Sequence, residues 1–142
     1  MKYEFASREW CAALHGIIAE RVAVEIKTKP NLSMSICEVF HGAPAHLADN
    51  DGKLAWSAVV QGADIDFRPA ERDDVKVKVT ADYATTVPLG RFASEGDPAR
   101  VAQLQSMVAA AVAAGKLTFV GDRTPSPDAL SSIHDAIARL TA

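Results

Sequence analysis

The sequence predicts an α+β domain in which a sheet is covered on its apolar face by helices. Three observations carry that reading. Strand alternation is concentrated between residues 32 and 79, while helical spacing occupies residues 7–29 and most of the chain after residue 80. The clearest strand, Val75-Lys76-Val77-Lys78-Val79, is apolar on one face and basic on the other, so one face of the sheet is expected to meet water. Segregated strands and helices favour layer packing of the α+β kind, with amphipathic helices over the apolar face.

The elements follow in order. Ser7 can cap a helix in which Trp10, Cys11, Leu14, Ile17, Ile18, Val22 and Ile26 keep three- and four-residue spacing to Lys29, and Pro30 ends it. Leu32, Met34 and Ile36 alternate with Ser33, Ser35 and Cys37 in a strand reaching about Phe40. Asp49-Asn50-Asp51-Gly52 is a turn signal, after which Leu54 to Val60 is a nearly continuous apolar strand. Gly62 punctuates it, and Ala63 to Arg68 alternates cleanly, so the segment reads as two strands or one bent strand. Pro69 to Asp74 reads as a charged turn before the Val75 strand. Thr80 to Pro88 suits a short helix closed by Pro88 and Gly90. Asp97-Pro98 supplies an N-cap and a first-turn proline for a longer helix, and Gly115 stands where a left-handed C-cap is wanted. Lys116 to Val120 is a short late strand. Ser126-Pro127-Asp128 opens a last helix whose Leu130, Ile133, Ile137 and Leu140 fall on one stripe.

A chain of 142 residues with 49% apolar content fits one domain over residues 1–142, with enough core for a ligand cavity. A net charge of -3 and a pI near 5.8 leave no basic footprint for nucleic acid or an anionic membrane. No stretch approaches the roughly 18 apolar residues of a membrane-inserted helix. Cys11 and Cys37 form no C-x-x-C pair, and with no apolar leader visible the chain reads as a reducing, cytoplasmic protein. The apolar residues include 26 alanines and only 9 aromatics, so many interior positions carry little volume. That suits either close helix packing or a core built around a space.

Candidate chemistry is sparse. His41, His46, Asp49 and Asp51 lie close enough in sequence to suggest a divalent ion, but the acids sit in an evident turn and the solvated-loop reading outweighs a metal site. Asp64 and Asp66 share one face of their strand, opposite Ile65 and Phe67, and are expected to pair across strands with Lys76 and Lys78. His15 and His134 sit in helices, where a histidine bonded to backbone is commoner than a catalytic base. No nucleophile elbow, phosphate loop or Cys-His-Asp spacing is present, so no catalytic residue, cofactor or metal is assigned. What remains is apolar. Trp56, Phe67, Phe92, Leu104, Met107, Val108 and Phe119 should face one interlayer space, where they build a plain core or, with Ala111 among the small residues 109–114, line a slot.

The late segment Gly115-Lys116-Leu117-Thr118-Phe119-Val120-Gly121-Asp122 resembles the Gly-Lys-Leu strand closed by Gly-Asp in the sterol carrier protein 2 family. The stretch Asp74 to Tyr83 is similar to the strand leading into that family's short helix, and the strand from Trp56 to Gly62 also fits. The resemblance implies a five-stranded sheet covered on one face by helices that enclose an apolar tunnel, with fatty acids, acyl-CoA, sterols or other lipids as ligands and no catalytic group.

Three readings follow. The first is a carrier holding a hydrophobic ligand against Trp56, Phe67, Phe92, Leu104, Met107, Val108, Ala111 and Phe119, between the sheet and the helices at 97–115 and 127–141. The second is a small isomerase or cyclase acting on a steroid or polyketide-like substrate, with His134, His41 or an aspartate as base. The third is an interaction module, a homodimer through a strand edge or the first helix with Trp10 as anchor.

Overall fold

The computed structural model describes residues 2–121 and 127–142. Helix α1 (Arg8–Glu25) is followed by strands β1 (Ser33–His41), β2 (Lys53–Gln61), β3 (Asp64–Arg68) and β4 (Val77–Asp82). Helices α2 (Tyr83–Gly90) and α3 (Pro98–Ala113), strand β5 (Leu117–Gly121) and helix α4 (Pro127–Ala138) complete the order. The sheet runs β3-β2-β1-β4-β5, antiparallel throughout except for the parallel β1/β4 pair. Asp122 and Ser126, the expected closing residue of the Gly-Asp motif and the expected cap of α4, lie outside the described residues.

Local chemistry explains most boundaries. The Ser7 hydroxyl accepts from the Trp10 backbone N–H at 3.2 Å, and the buried Trp10, Cys11, Leu14, Ile18 and Val22 then press one stripe of α1 onto the sheet. Asp97 caps α3 through the Ala99 N–H, with Pro98 in its first turn. Strand β4 begins two residues later than its sequence suggests and ends three residues later. Its pairing with β1 carries on to His41↔Asp82, and the Asp82 carboxylate then caps α2 through the Thr85 N–H. Cross-strand pairing thus overrides the helical look of Thr80 to Asp82, and Pro88 falls inside α2 instead of ending it. Gly121 ends β5 at φ +108°, where a Cβ would stand 1.9 Å from the Lys76 carbonyl oxygen, so only glycine closes this register.

The inner face of the sheet is shut at one end. Phe5 meets the edge of Trp10 and of Phe40 at ring separations of 5.0 and 5.1 Å and stacks on Tyr83 at 5.7 Å. The Tyr83 hydroxyl donates to the Phe5 carbonyl at 2.7 Å, and the Trp10 indole N–H donates to the Thr141 hydroxyl at 3.0 Å. Residues near the two chain ends are tied together by a bridge between Tyr3 and Thr141.

The outer face is not simply wet. Because β4 lies beside β1 and not beside β3, the chain between them crosses the back of β2 and β1, a span of about three strand spacings. Under this strap Cys37 and Ser57 are completely buried. The Arg72 backbone N–H donates to the Cys37 thiol at 3.4 Å, and the Lys76 N–H donates to the Ser35 hydroxyl at 2.7 Å. Arg72 holds Asp74 with two hydrogen bonds and reaches Asp66 at 2.9 Å, while Lys78 pairs with Glu71 and Asp73. The expected pairing of Asp64 and Asp66 with Lys76 and Lys78 is therefore corrected. The strands that carry them are not neighbours, and Asp66 bonds Arg68 and Arg72 instead.

Candidate ligand-binding site

Alternation along β1 places Met34, Ile36, Glu38 and Phe40 on the face that α1 covers, and register extends that face across the sheet. One row runs Phe119, Val79, Glu38, Trp56 across β5, β4, β1 and β2. The covering helices treat this surface unequally. Helix α1 buries five residues on it, whereas α3, nearly as long, buries only Ala111. Leu104, Met107 and Val108 are only partly covered, and Val112 keeps 46% of its surface exposed. Helix α3 packs on α2 and β5 and leaves an apolar groove of about 580 Å³. Its walls are Leu104, Val108, Ala109, Val112 and Ala113 of α3 with Phe119 of β5, and Gln105 is its polar lining residue. That volume falls within the range of about 300–1,000 Å³ usual for small-molecule sites.

Leu104, Val108 and Phe119 of the expected set meet in this groove. Met107 packs toward the core beside them, and Ala111 is buried one turn further on. Trp56, 5% exposed, stacks on Phe67 at 5.7 Å and stands 6.3 Å from Trp10, so both belong to the same inner face at its β2/β3 side. Phe92 does not line the groove. It sits in the loop after α2 with the Arg100 guanidinium 4.6 Å above its ring.

The sequence reading passed over Glu38. It stands at the middle of the central strand on the apolar face, with Trp56 and Val79 as cross-strand partners. Among the described residues it has no hydrogen bond or ion pair, and burial pushes its carboxyl up to about 7. It nevertheless remains only partly covered, as do Ile36, Phe67 and Phe119 on the same face. The indole N–H of Trp56 is buried and also lacks a partner. The buried, unmatched indole N–H costs about 1–3 kcal/mol, and together with an unpaired carboxyl in the same row of an otherwise apolar surface it needs an explanation. The signal was legible as a charge in phase with Met34, Ile36 and Phe40.

The other candidates go elsewhere. His41 and His46 are exposed, and His46 contacts Glu4 at 2.6 Å. Asp49 accepts the backbone N–H groups of Asp51 and Lys53, as a turn aspartate does. His15 is exposed and stacks flat on Phe67 at 5.0 Å. His134 Nε2 bonds the Phe92 carbonyl at 3.0 Å, the backbone-bonded role expected of it. Its neighbour Asp135 is buried, which acts to raise its pKa, but hydrogen bonds from Ser94 and Glu95 hold it below the usual carboxylate range and pin the loop before α3 to α4. The two thiols are free and buried, and burial pushes Cys11 up to about 11 and raises Cys37. Among the described residues no helix is long and apolar enough to cross a membrane.

No family model matches the sequence, and no curated protein does either. Solved structures do. A conserved hypothetical protein from Thermus thermophilus, described as a candidate sterol carrier protein, superimposes over 100% of this chain and 94% of its own, at 14% identity and a TM-score of 0.57. A crystal structure of sterol carrier protein 2 superimposes over 97% of this chain and 100% of its own, at 13% identity and the same TM-score of 0.57. The element order, the five-stranded mixed sheet and the helices over its inner face are thus those of the sterol carrier protein 2 fold.

Proposed function

We propose that this protein binds a hydrophobic ligand, a fatty acid, acyl-CoA or sterol-like lipid, between α3 and the inner face of the sheet, and acts as its carrier. The observation that supports this most is the incomplete closure of α3. A helix with this many apolar residues normally closes on its sheet, yet here the stripe that would do so walls an open apolar groove. Leu104, Met107, Val108 and Phe119 are the residues we assign to ligand contact, with Trp56, Phe67 and Ala111 bounding the same layer. Phe92 is set aside from this group because it lies beneath Arg100 and outside the groove. The sterol carrier protein 2 fold supports the reading by analogy of fold. Two free, buried cysteines suit a reducing compartment such as the cytoplasm.

The groove is tested by titration with Nile red, a neutral probe that brightens on leaving water. Val108→Asp puts a charge into the apolar wall and is expected to weaken binding at least tenfold, about 1.4 kcal/mol or more. Lys78→Ala, on the outer face, should leave the titration unchanged, with circular dichroism confirming that both variants are folded. Equal binding by Val108→Asp and the parent protein would overturn the assignment.

A further inference from the structure

We infer that Glu38, with the indole N–H of Trp56, is a polar subsite that receives the hydroxyl of a lipid alcohol whose apolar body lies in the α3 groove. The inference rests on the ligand-binding reading above and adds the chemistry of the ligand's head. Glu38 lies two strand spacings from Phe119 along one row, about 10 Å, with the buried, apolar Val79 between them. A ligand that enters over Phe119 and displaces the side chains covering Val79 brings its leading end to the centre of β1. There it meets the acceptor oxygens of Glu38 and, one strand on, the donor of Trp56, neither of which has a partner among the described residues. Glu38 is only partly covered, so its carboxyl is not sealed off by the layer above it.

The two unmatched groups define what they would read. A hydroxyl donates one hydrogen bond and accepts others, so it satisfies the carboxylate and the indole N–H together. An ionised fatty acid would set a second anion against Glu38 in a setting of low dielectric, where like charges repel strongly. An ammonium would pair with Glu38 but offers only donors, leaving the Trp56 N–H opposite another donor. The titrating surroundings of Glu38 are simple. Cys11 on α1 and Cys37, next to it on β1, are the ionisable groups coupled to it, and burial raises both thiols so that both are neutral near pH 7. The facing residues of β2 and β4, Trp56 and Val79, do not ionise in that range, and burial is the sole influence that shifts Glu38 itself.

The experiment displaces Nile red from the whole protein with dodecanol, dodecanoic acid and dodecylamine, three ligands of equal chain and different head. The parent protein is expected to prefer dodecanol. Glu38→Leu should lose dodecanol affinity about tenfold, gain affinity for dodecanoic acid, and bind Nile red as before. Glu38→Gln, which keeps an acceptor, should hold dodecanol within about threefold. Dodecanol affinity of the parent protein should rise as pH passes upward through 7, since the carboxylate accepts more strongly than the acid, and dodecanoic acid affinity should fall. Dodecanol affinity unchanged in Glu38→Leu, an equal loss for all three heads, or a preference for dodecylamine would overturn the subsite while leaving the groove standing. A parent protein that binds neither Nile red nor any of the three would instead overturn the ligand-binding reading beneath it.

Discussion

Phe40→Ala is expected to destabilise the protein by about 3–5 kcal/mol, read as a lowered urea midpoint at unchanged slope. Phe40 is 0% exposed and lies where the inner face is shut, edge-on to Phe5 at 5.1 Å and to Tyr83 at 6.3 Å. Three rings that fill one another's contact surface cannot collapse onto the space an alanine leaves, so the loss includes both transfer and cavity contributions. The comparison that gives the result meaning is Val108→Ala in the groove wall, which should cost no more than about 1 kcal/mol because that side chain is only partly buried. A large loss from both substitutions would show that α3 closes on the sheet as firmly as α1 does, and the groove would lose its standing as a site.

Glu38→Gln is expected to stabilise the ligand-free protein at pH 8 and to leave its stability at pH 4 nearly unchanged. Burial raises the carboxyl from a usual 4.5 to about 7, so the folded state holds this proton more tightly than the unfolded chain. The stability associated with the neutral form is fully present below about 4.5, declines as pH rises, and is gone above about 7. A shift of that size corresponds to about 3 kcal/mol, which glutamine would recover at pH 8 by removing the charge. Chemical denaturation of both proteins at the two pH values measures the difference directly. An equal effect at pH 4 and pH 8 would mean that Glu38 ionises as freely as a surface carboxylate.

Much of the fold was legible because the local signals agree with one another. Ser7 and Asp97 cap the helices that their spacing announces, and five alternating or apolar runs become the five strands. What the sequence hid depends on strand order. Reading Lys76 and Lys78 as neighbours of Asp64 and Asp66 assumes that successive strands pair, and the crossover from β3 to β4 breaks that assumption. The same crossover lays residues 69–76 over the back of the sheet and buries Ser57 beside Cys37, on a face that alternation alone leaves to solvent. Within the site, Leu104, Val108 and Phe119 were readable as one apolar layer, but the groove turns toward Gln105, Ala109 and Val112, a rotation of α3 that periodicity does not determine. Phe92 carried the same apolar signal and went to a cation above its ring, because the loop before α3 brings Arg100 back over it. Glu38 was written in plain view, as the one charge in an apolar alternation, and its meaning came only from the register that sets Trp56 beside it.

The central claim is that an amphiphile occupies the layer between α3 and the sheet, and it is tested most directly by what the protein carries out of the cell. The measurement is to purify the protein under native conditions, denature it, and examine the organic extract by mass spectrometry against an extract of Val108→Asp prepared alongside. A lipid present in near-stoichiometric amount with the parent protein, and depleted from the variant, is the predicted result. An extract without lipid, from folded protein that also leaves Nile red dark, would contradict it.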